Sequence, residues 1–299
     1  MSHSISIIIP TRNRSSILAR CLAALPAGAR GLAPPEVIIV DDCSSDETCS
    51  VVDQFLAETR WPVRCLRQNR PLGANAARNA ALRIACGEVI VIIDDDVLVT
   101  EGWLSKLSAG LSEHSPVVSG PVRLTLEGPV LGKHREEVQA FFGEILRSPV
   151  DFDGRQVPVL GNLAAYRKVF ELAAFDESLR PPIEEADWLQ RAGVQCGFVP
   201  DAWVWHYKTR EELNPRRVLP GVWRRGSEGG WWLRERLKVP ARECRALARR
   251  SLRTSLRAFG HAVLQRCWGG AVVGLGELSR ALALAGVVNR RPRLPESWR

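Results

Sequence analysis

The sequence of 299 residues lacks an uninterrupted run of the roughly 20 apolar residues that a membrane-spanning helix needs. Its best candidate, residues 271–288, is interrupted by Glu277 and Arg280. The apolar run near the N-terminus is short and ends at Pro10, so a cleaved signal peptide is not expected either. We therefore expect a cytoplasmic protein, one that can still lie peripherally on the cytoplasmic face of a membrane.

Recurrent cysteine spacings are also missing. The eight cysteines are scattered and form no CxxC pair, and Cys21 and Cys86 fall within apolar or helical patterns. A disulfide framework or a zinc site would normally show regular spacing. Free, buried thiols in a reducing cytosol are the expectation.

Two common phosphate-binding motifs are absent as well. No G-x-G-x-x-G follows the first apolar run, and no G-x-x-x-x-G-K-[ST] occurs. The first absence argues against a dinucleotide-binding fold, and the second excludes a P-loop. A bound phosphate group would have to be held by a metal ion and basic side chains instead.

The first 120 residues do contain a regular alternation of strand and helix patterns. Short apolar runs predict strands at 4–10, 36–42, 63–68 and 87–94. Helical spacing of apolar residues occupies the stretches between them. Strands that are apolar on both faces and separated by helices indicate a mostly parallel sheet flanked by helices. The fold class is therefore α/β, of the doubly wound type.

Beyond residue 120 the pattern is less regular. It predicts a strand near 117–124, a helix near 183–192 and short strands near 196–199 and 203–206. We divide the chain into an α/β domain at 1–210, with halves at about 1–120 and 121–210, and a helix-rich extension at 211–299. Glycines within 221–232 suggest either a mobile lid or an interdomain linker.

Positive charge is concentrated in this extension. Between residues 216 and 257 there are 13 basic and three acidic residues, a balance of +10 in a chain whose total is +8. Such a segment fits an anionic partner, membrane or nucleic acid, or a solvated helix. Arginines followed by the leucines of 275–284 favour an anionic membrane surface. Packing on the α/β domain or on a second subunit, as in a homo-oligomer, is the alternative.

Three consecutive carboxylates, Asp94, Asp95 and Asp96, follow the fourth predicted strand. Ligands of open α/β sheets bind beyond the carboxyl ends of the strands. Three buried like charges are costly unless a cation offsets them. In an extended segment Asp94 and Asp96 would face one way, which suits Mg²⁺ or Mn²⁺ shared with a diphosphate. An acidic surface turn is the alternative.

Four stretches of the sequence together resemble a known family. They are SIIIPTRNR, EVIIVDDCSSDET, RPLGANAARNAALRIACGEVIVIIDDDV, and FDESLRPPIEEADWLQRAG followed by PDAWVWH. In this order and spacing they resemble the inverting family 2 glycosyltransferases, over about residues 4–207. The resemblance implies a GT-A fold and a metal-dependent transfer of sugar from a nucleotide sugar, foremost a UDP-sugar, to a glycan or lipid-linked acceptor.

Residue roles follow from the same resemblance. It implies a nucleotide-sugar site formed by Thr11, Asp42, Arg78, Asp94 and Asp95. It also implies that Asp96 binds the Mn²⁺ or Mg²⁺ ion directly. His206 aligns with a histidine that some members use as a further metal ligand, although a lone histidine is more often structural.

The family's catalytic base is usually the aspartate of a Glu-Asp pair. Here the matching pair is Glu184-Glu185, so the resemblance implies Glu185 as the base, with Asp187 as the fallback. A base and a leaving-group stabiliser are the two tasks of an inverting transfer. Acids that favour a helix N-terminus are the structural alternative.

Two other functions compete with this one. A nucleotidyltransferase would make the activated sugar, but its usual Gly-rich loop after the first strand is missing. A nucleic-acid-binding protein would use the arginine-rich segment, which lacks a recognisable binding motif and regular aromatic residues. We therefore expect an enzyme, and no nucleic-acid partner.

Overall fold

The computed structural model describes residues 3–127, 145, 157–179, 183–212, 215–236, 238–264 and 268–286. The chain divides into two compact units. The first comprises Met1–Thr125, Glu144–Arg180 and Glu184–Tyr207, and the second comprises Leu126–Gly143, Pro181–Ile183 and Lys208–Arg299.

The strands of the described residues are β1 (Ile5–Thr11), β2 (Glu36–Asp41), β3 (Val63–Arg67), β4 (Val89–Ile92), β5 (Val97–Val99), β6 (Val117–Ser119), β7 (Val122–Leu126), β8 (Leu163–Tyr166), β9 (Cys196–Phe198) and β10 (Val204–Lys208). The larger sheet has the order β3-β2-β1-β4-β8-β6-β9. Its neighbours pair in parallel except at β8, which is antiparallel to β4 and β6. The predicted mostly parallel α/β sheet is confirmed.

The helices are α1 (Ser15–Gly28), α2 (Thr48–Glu58), α3 (Ala74–Leu82), α4 (Trp103–Ala109), α5 (Arg167–Leu172), α6 (Glu184–Ala192), α7 (Pro215–Trp231), α8 (Ala241–Leu264) and α9 (Trp268–Leu284). Short 3₁₀ and π segments lie at Leu160–Asn162 and Trp232–Arg236. The strands and helices predicted before residue 210 are present, with ends shifted by a few residues.

Alternate side chains of β1 enter two separate cores. Ile7 and Ile9 pack into the cluster on one face of the sheet, and Ile8 packs into the cluster on the other face. All three are essentially inaccessible to solvent. Burying each isoleucine stabilises the fold by about 1.5–3 kcal/mol. A strand buried on both faces explains why its sequence is continuously apolar rather than alternating.

The strand predicted at 117–124 is interrupted, and the interruption has a steric cause. Gly120 and Pro121 separate β6 from β7. A Cβ at position 120 would lie 2.0 Å from the carbonyl oxygen of Ala202, so only glycine fits there. Proline has no N–H for a ladder hydrogen bond. The chain therefore leaves the larger sheet here and enters the smaller one.

The smaller sheet has the order β5-β10-β7. Strand β10 runs antiparallel to β5, with His206 opposite Val97. This register brings His206 beside the residues that end the turn after β4. The position of His206, a metal ligand implied by the resemblance, is thus set by backbone pairing.

The described part of the second unit contains α7, α8 and α9. Residues 221–231 are helical, and glycines of this stretch lie in close contact with α9. A Cβ at Gly226 would lie 2.1 Å from the carbonyl oxygen of Gly276, and one at Gly230 would lie 2.7 Å from that of Arg280. Among the described helices, none is both long and apolar enough to cross a membrane.

The cysteines that the structure describes are free, but not all of them are buried as expected. Those at 21, 43, 49, 65, 86, 196 and 244 form no disulfide. Cys21, Cys196 and Cys244 are buried, whereas Cys65 and Cys86 are exposed.

Candidate active site

The three aspartates after β4 lie in a turn at the carboxyl end of the sheet. The N–H of Val97 donates to the carbonyl of Asp94 at 3.2 Å, which closes this turn. The expected alternation of an extended segment is therefore wrong for these residues. Asp95 and Asp96 are both buried, whereas the side chain of Asp94 is 38% exposed.

Arg14 joins the two buried aspartates. Its Nη1 lies 2.9 Å from Oδ1 of Asp95, and its Nη2 lies 2.8 Å from Oδ2 of Asp96. Thr11 also donates its hydroxyl to Oδ2 of Asp95 at 2.7 Å. Burial raises the pKa of Asp95 to about 7, with the negative charges of Asp96 and Asp94 adding to it and Arg14 and Thr11 opposing it.

His206 meets the same cluster from β10. Its Nε2 lies 3.1 Å from Oδ2 of Asp96, the oxygen that also accepts from Arg14. The N–H of Tyr207 donates to the carbonyl of Asp96 at 2.8 Å, which ties β10 to the turn. The structure thus brings together the two residues that the resemblance implies as metal ligands.

The chemistry of Asp96 and His206 fits a divalent cation bound by few protein groups. One carboxylate and one imidazole leave most coordination positions to phosphate oxygens and water, as is usual for Mg²⁺ in nucleotide sites. Within the described residues no group of three or more His, Cys, Asp or Glu side chains is arranged to hold a metal.

Asp42, at the end of β2, organises the loop before α3. Its two carboxylate oxygens accept from the backbone N–H groups of Leu72 and Gly73, at 2.7 and 2.9 Å. Gly73 has φ of 97°, which side-chain-bearing residues rarely adopt. Asp42 is therefore a buried anchor of the loop beside which the resemblance places the nucleoside.

The polar face of α3 is buried and faces the rest of the site. Asn75, Arg78 and Asn79, at positions i, i+3 and i+4 of one helix, are each less than 9% exposed. Amide Nδ2 of Asn79 donates to the carbonyl of Phe175 at 2.9 Å, and that of Asn75 donates to Asp176 at 2.9 Å. These bonds fix the segment that leads into α6.

Arg78 links the aspartate cluster to α6. Its Nη2 donates to Oδ1 of Asp94 at 3.0 Å, and its Nη1 lies 3.7 Å from Oε1 of Glu184. The Nη1 group also donates to Oδ1 of Asn75 at 2.8 Å, which sets the orientation of the guanidinium. The buried guanidinium of Arg78 therefore interacts with two acids, Asp94 and Glu184, that are 90 residues apart in the sequence.

The acids of α6 occupy its first turn, where the helix dipole favours negative charge. Glu184 and Asp187 are buried, and Asp187 accepts from Nε of Arg191 at 2.7 Å. Glu185 is half-buried. Burial raises the pKa of Glu185 well above its ordinary value, and the neighbouring charge of Glu184 raises it further. Such a carboxyl holds a proton more strongly than an ordinary glutamate does.

The family model for glycosyl transferase family 2 matches residues 6–172, which is more than half of the chain. The chain belongs to glycosyl transferase family 2. The family identified from the four sequence stretches is thereby confirmed, and the matched region includes the aspartate cluster.

Two curated relatives give the scale of the sequence similarity. This family 2 chain is 31% identical to the poly(ribitol-phosphate) beta-N-acetylglucosaminyltransferase TarS of Staphylococcus aureus over 109 residues, 36% of this chain and 19% of that protein. It is 32% identical to the GalNAc(5)-diNAcBac-PP-undecaprenol beta-1,3-glucosyltransferase of Campylobacter jejuni over 124 residues, 42% of this chain and 40% of that one. The matches thus span less than half the length of each relative.

Solved structures resemble the family 2 chain over more of its length. The mannosyltransferase PcManGT of Pyrobaculum calidifontis, in complex with GDP-Man and Mn²⁺, has a TM-score of 0.59 and 18% identity, covering 96% of this chain and 76% of that one. TarS 1–349 of S. aureus, in complex with UDP, has a TM-score of 0.53 and 16% identity, covering 93% and 90%. At this identity the likeness concerns the fold, and it confirms the predicted GT-A fold.

The residues that sequence reasoning missed in this family 2 chain are the cations and amides around the acids. The sequence pattern indicates that three adjacent aspartates need a cation, but it does not single out Arg14 as that cation. Asn75 and Asn79 share the helical spacing of Arg78, which is the signal that could have revealed them.

Proposed function

We propose that this chain is a metal-dependent inverting glycosyltransferase that moves a sugar from a nucleotide-diphosphate sugar to a hydroxyl of its acceptor. The observation that carries the proposal is the pair of buried acid clusters joined by Arg78, which lies 3.0 Å from Asp94 and 3.7 Å from Glu184. An inverting transfer needs a cation-binding group for the leaving diphosphate and a base for the acceptor.

Glu185 is the proposed base. Its carboxyl removes the proton from the acceptor hydroxyl as that oxygen attacks the anomeric carbon. The raised pKa of Glu185 supports this role, since a stronger base draws the proton more effectively. Asp187 remains the fallback, but its salt bridge with Arg191 at 2.7 Å makes it a poorer base.

The nucleotide-sugar site is proposed to consist of Thr11, Asp42, Arg78, Asp94 and Asp95. Asp96 and His206 would hold Mn²⁺ or Mg²⁺, which neutralises charge on the leaving diphosphate. Arg78 keeps Asp94 in place for contact with the ribose or the metal. The Mn²⁺ in the complex of PcManGT supports a divalent cation here.

A UDP-sugar is the proposed donor and a glycan or lipid-linked hydroxyl the proposed acceptor. UDP is bound in the TarS structure, whereas GDP-Man is bound in that of PcManGT, so donor bases vary among structures of this fold. The lipid-linked acceptor is supported by the name of the C. jejuni relative, which contains PP-undecaprenol.

An anionic membrane surface is the proposed partner of α8. Helix α8 contains two exposed leucines, Leu252 and Leu256. It also contains six exposed arginines: Arg242, Arg245, Arg249, Arg250, Arg253 and Arg257. Each basic residue near an anionic surface contributes about 1 kcal/mol. The leucines of α9, which were expected from the sequence to contact the membrane, are buried or half-buried. The proposed membrane-binding surface is therefore that of α8. The two exposed leucines favour a bilayer over a nucleic acid.

Vesicle cosedimentation tests this partner. We expect the full chain to pellet with anionic vesicles at low salt and to stay in the supernatant with neutral ones. Replacing Arg249 and Arg253 by glutamine should reduce the pelleted fraction more than replacing the exposed Arg60 and Arg83. Equal recovery in the supernatant with both vesicle types would rule the membrane role out.

The division of the chain at residue 210, the cytoplasmic location and a homo-oligomer stay predictions.

The central experiment is a donor screen on the full chain. UDP-, GDP- and dTDP-sugars are tested with Mn²⁺ for protection against thermal unfolding and then for slow hydrolysis of the donor. We expect one nucleotide class to raise Tm and to be hydrolysed only with the metal. Protection by none of the donors, together with no hydrolysis, would reject the proposed function.

A further inference from the structure

One carboxylate oxygen of the aspartate cluster is engaged twice. Oδ2 of Asp96 accepts from Nη2 of Arg14 at 2.8 Å and lies 3.1 Å from Nε2 of His206. A divalent cation binds carboxylate oxygens at about 2.0–2.2 Å, in the space where those donors point. A metal ion at that oxygen would have to replace at least one of these two donors.

We propose that Arg14 is a built-in competitor of the metal ion: its guanidinium holds Asp95 and Asp96 until a divalent cation displaces it from Asp96. This inference rests on the proposed function, which places the metal at Asp96. It assigns to Arg14 a positioning role that controls when the metal binds.

The cluster needs such a cation because its acids are buried. The side chains of Asp95 and Asp96 are only 5% and 2% exposed. Two adjacent buried carboxylates repel each other, and removing a charged partner from such a group is strongly destabilising. Arg14 contacts one oxygen of each aspartate, so it offsets both charges with one side chain.

The backbone of Arg14 is fixed while its side chain has room to move. Its carbonyl accepts from the N–H groups of Ile17 and Leu18 at 3.0 and 2.9 Å, which anchors it to the first turn of α1. The preceding Asn13 accepts through its Oδ1 from the N–H of Ser45 at 2.7 Å. The side chain of Arg14 is 27% exposed, so its head can leave the aspartates without unfolding the loop.

The displaced guanidinium would remain beside the site that receives the diphosphate. A charge-assisted hydrogen bond from arginine to a phosphate oxygen could then replace the one lost to Asp96. Arg14 should therefore weaken binding of the metal alone and strengthen binding of the metal together with the donor. An arginine that stayed on Asp96 would also repel the metal ion, but it would not strengthen binding of the metal together with the donor.

The test measures Mn²⁺ binding to the full chain without nucleotide, from the loss of the free-ion signal in electron paramagnetic resonance. Arg14→Gln is compared with the parent and with Arg12→Gln, which removes the same charge from an exposed residue of the same loop. We expect Arg14→Gln to lower the Kd for Mn²⁺ on the order of tenfold or more, and Arg12→Gln to change it little. Mn²⁺ affinity no higher in Arg14→Gln than in Arg12→Gln would overturn the proposal.

Two further measurements separate this inference from the proposed function. Adding Asp96→Asn to Arg14→Gln should abolish the increase in Mn²⁺ affinity, because the carboxylate oxygen that Arg14 released is then absent. Suppose that Mn²⁺ and UDP bind to the parent and that Asp96→Asn weakens this binding, but that Arg14→Gln does not raise the affinity for Mn²⁺. Only the competitor role of Arg14 then fails. If Mn²⁺ binds none of the proteins, with or without UDP, both proposals fail.

Arg14→Lys covers the case in which the glutamine variant does not fold. Lysine keeps the charge but cannot contact both aspartates with a planar fork. We expect its Mn²⁺ affinity to lie between those of the parent and the glutamine variant. A lysine variant that folds and binds Mn²⁺ no better than the parent would count against the proposal.

Discussion

The aspartates after β4 and the acids that begin α6 are both clusters of three carboxylates, but their charges are neutralised differently. In the aspartate cluster each member has a cationic neighbour. Arg14 contacts Asp95 and Asp96, and Arg78 contacts Asp94. Asp95 and Asp96 are buried beside Arg14, although burial still raises the pKa of Asp95 to about 7.

In the cluster at α6, arginines form ion pairs with Glu184 and Asp187, and Arg78 also opposes the raised pKa of Glu185. Arg78 lies 3.7 Å from Glu184, and Arg191 lies 2.7 Å from Asp187. The pKa of Glu185 is raised, chiefly by burial and then by the charge of Glu184. Both clusters thus contain a carboxyl whose charged form is disfavoured, but Asp95 is buried against Arg14 and Thr11, whereas Glu185 is partly exposed.

The difference suggests a division of tasks. Carboxylates that already have a positive partner can exchange it for a metal ion, because their buried charges are balanced before and after the exchange. An acid with a raised pKa is suited to take up a proton during the reaction. Variants that remove these carboxylates test the division of tasks, and the expected effects decrease from Glu185 to Asp96 and then to Asp187.

The largest effect is expected for Glu185→Gln. Glutamine keeps the size of the side chain but cannot accept the proton, so transfer should fall on the order of 10²–10⁴-fold. Binding of the donor, measured as protection against thermal unfolding, should stay close to that of the parent.

Glu171→Gln is the control, because this glutamate is exposed on α5. It should leave both measurements unchanged. A Glu185→Gln variant that transfers sugar at the parent rate would remove Glu185 from the role of base, and with it the proposed division of tasks.

Asp96→Asn should have the next largest effect. It removes one charge at constant size, and loss of activity on the order of 100-fold or more is typical for a group that stabilises a leaving diphosphate. Mn²⁺ and donor affinity should fall together, in contrast to Glu185→Gln. Isothermal titration of UDP in the presence of Mn²⁺ measures this, with the exposed Asp53→Asn as control. Parent activity in limiting Mn²⁺ would show that Asp96 is not a metal ligand.

The sheet and the aspartate cluster could be predicted from the sequence because local patterns determine them. A continuously apolar run such as β1 indicates a strand buried on both faces, and its carboxyl end marks the ligand edge. Asp94–Asp96 were placed at that edge without any knowledge of contacts. Strand β10 was predicted, but its register with β5 was not.

The cation partners could not be predicted because they depend on distant or unusual backbone geometry. Arg12 and Arg14 are chemically identical, and the left-handed φ of 50° at Asn13 lies between them. The contact between Arg78 and Glu184 spans 106 residues of sequence. In the second unit the sequence indicated a basic helix, but not that the glycines of α7 are needed for close packing on α9.

A smaller effect is expected for Asp187→Asn. The variant loses a charge-assisted hydrogen bond to Arg191, which contributes about 1.5–3 kcal/mol to stability when it is buried. We expect a lower Tm and activity within about tenfold of the parent, because α6 stays helical. Thermal melts and initial rates measure both quantities. If Asp187→Asn loses more activity than Glu185→Gln, the base is Asp187 and the Glu-Glu pair is misaligned with the family motif.

The smallest effect concerns the pH dependence of stability at Glu185. Its pKa is raised in the folded protein, so folding favours the protonated carboxyl. The stability that this carboxyl contributes is fully present below the pKa of the unfolded chain and is lost as pH rises through the raised pKa. Glutamine resembles the protonated form at every pH. Glu185→Gln should therefore match the parent in Tm near pH 4 and exceed it by a few degrees at pH 8, whereas Glu171→Gln should show no such trend. A difference in Tm that does not change with pH would mean that the Glu185 carboxyl titrates normally, and the contrast between the two clusters would then rest on geometry alone.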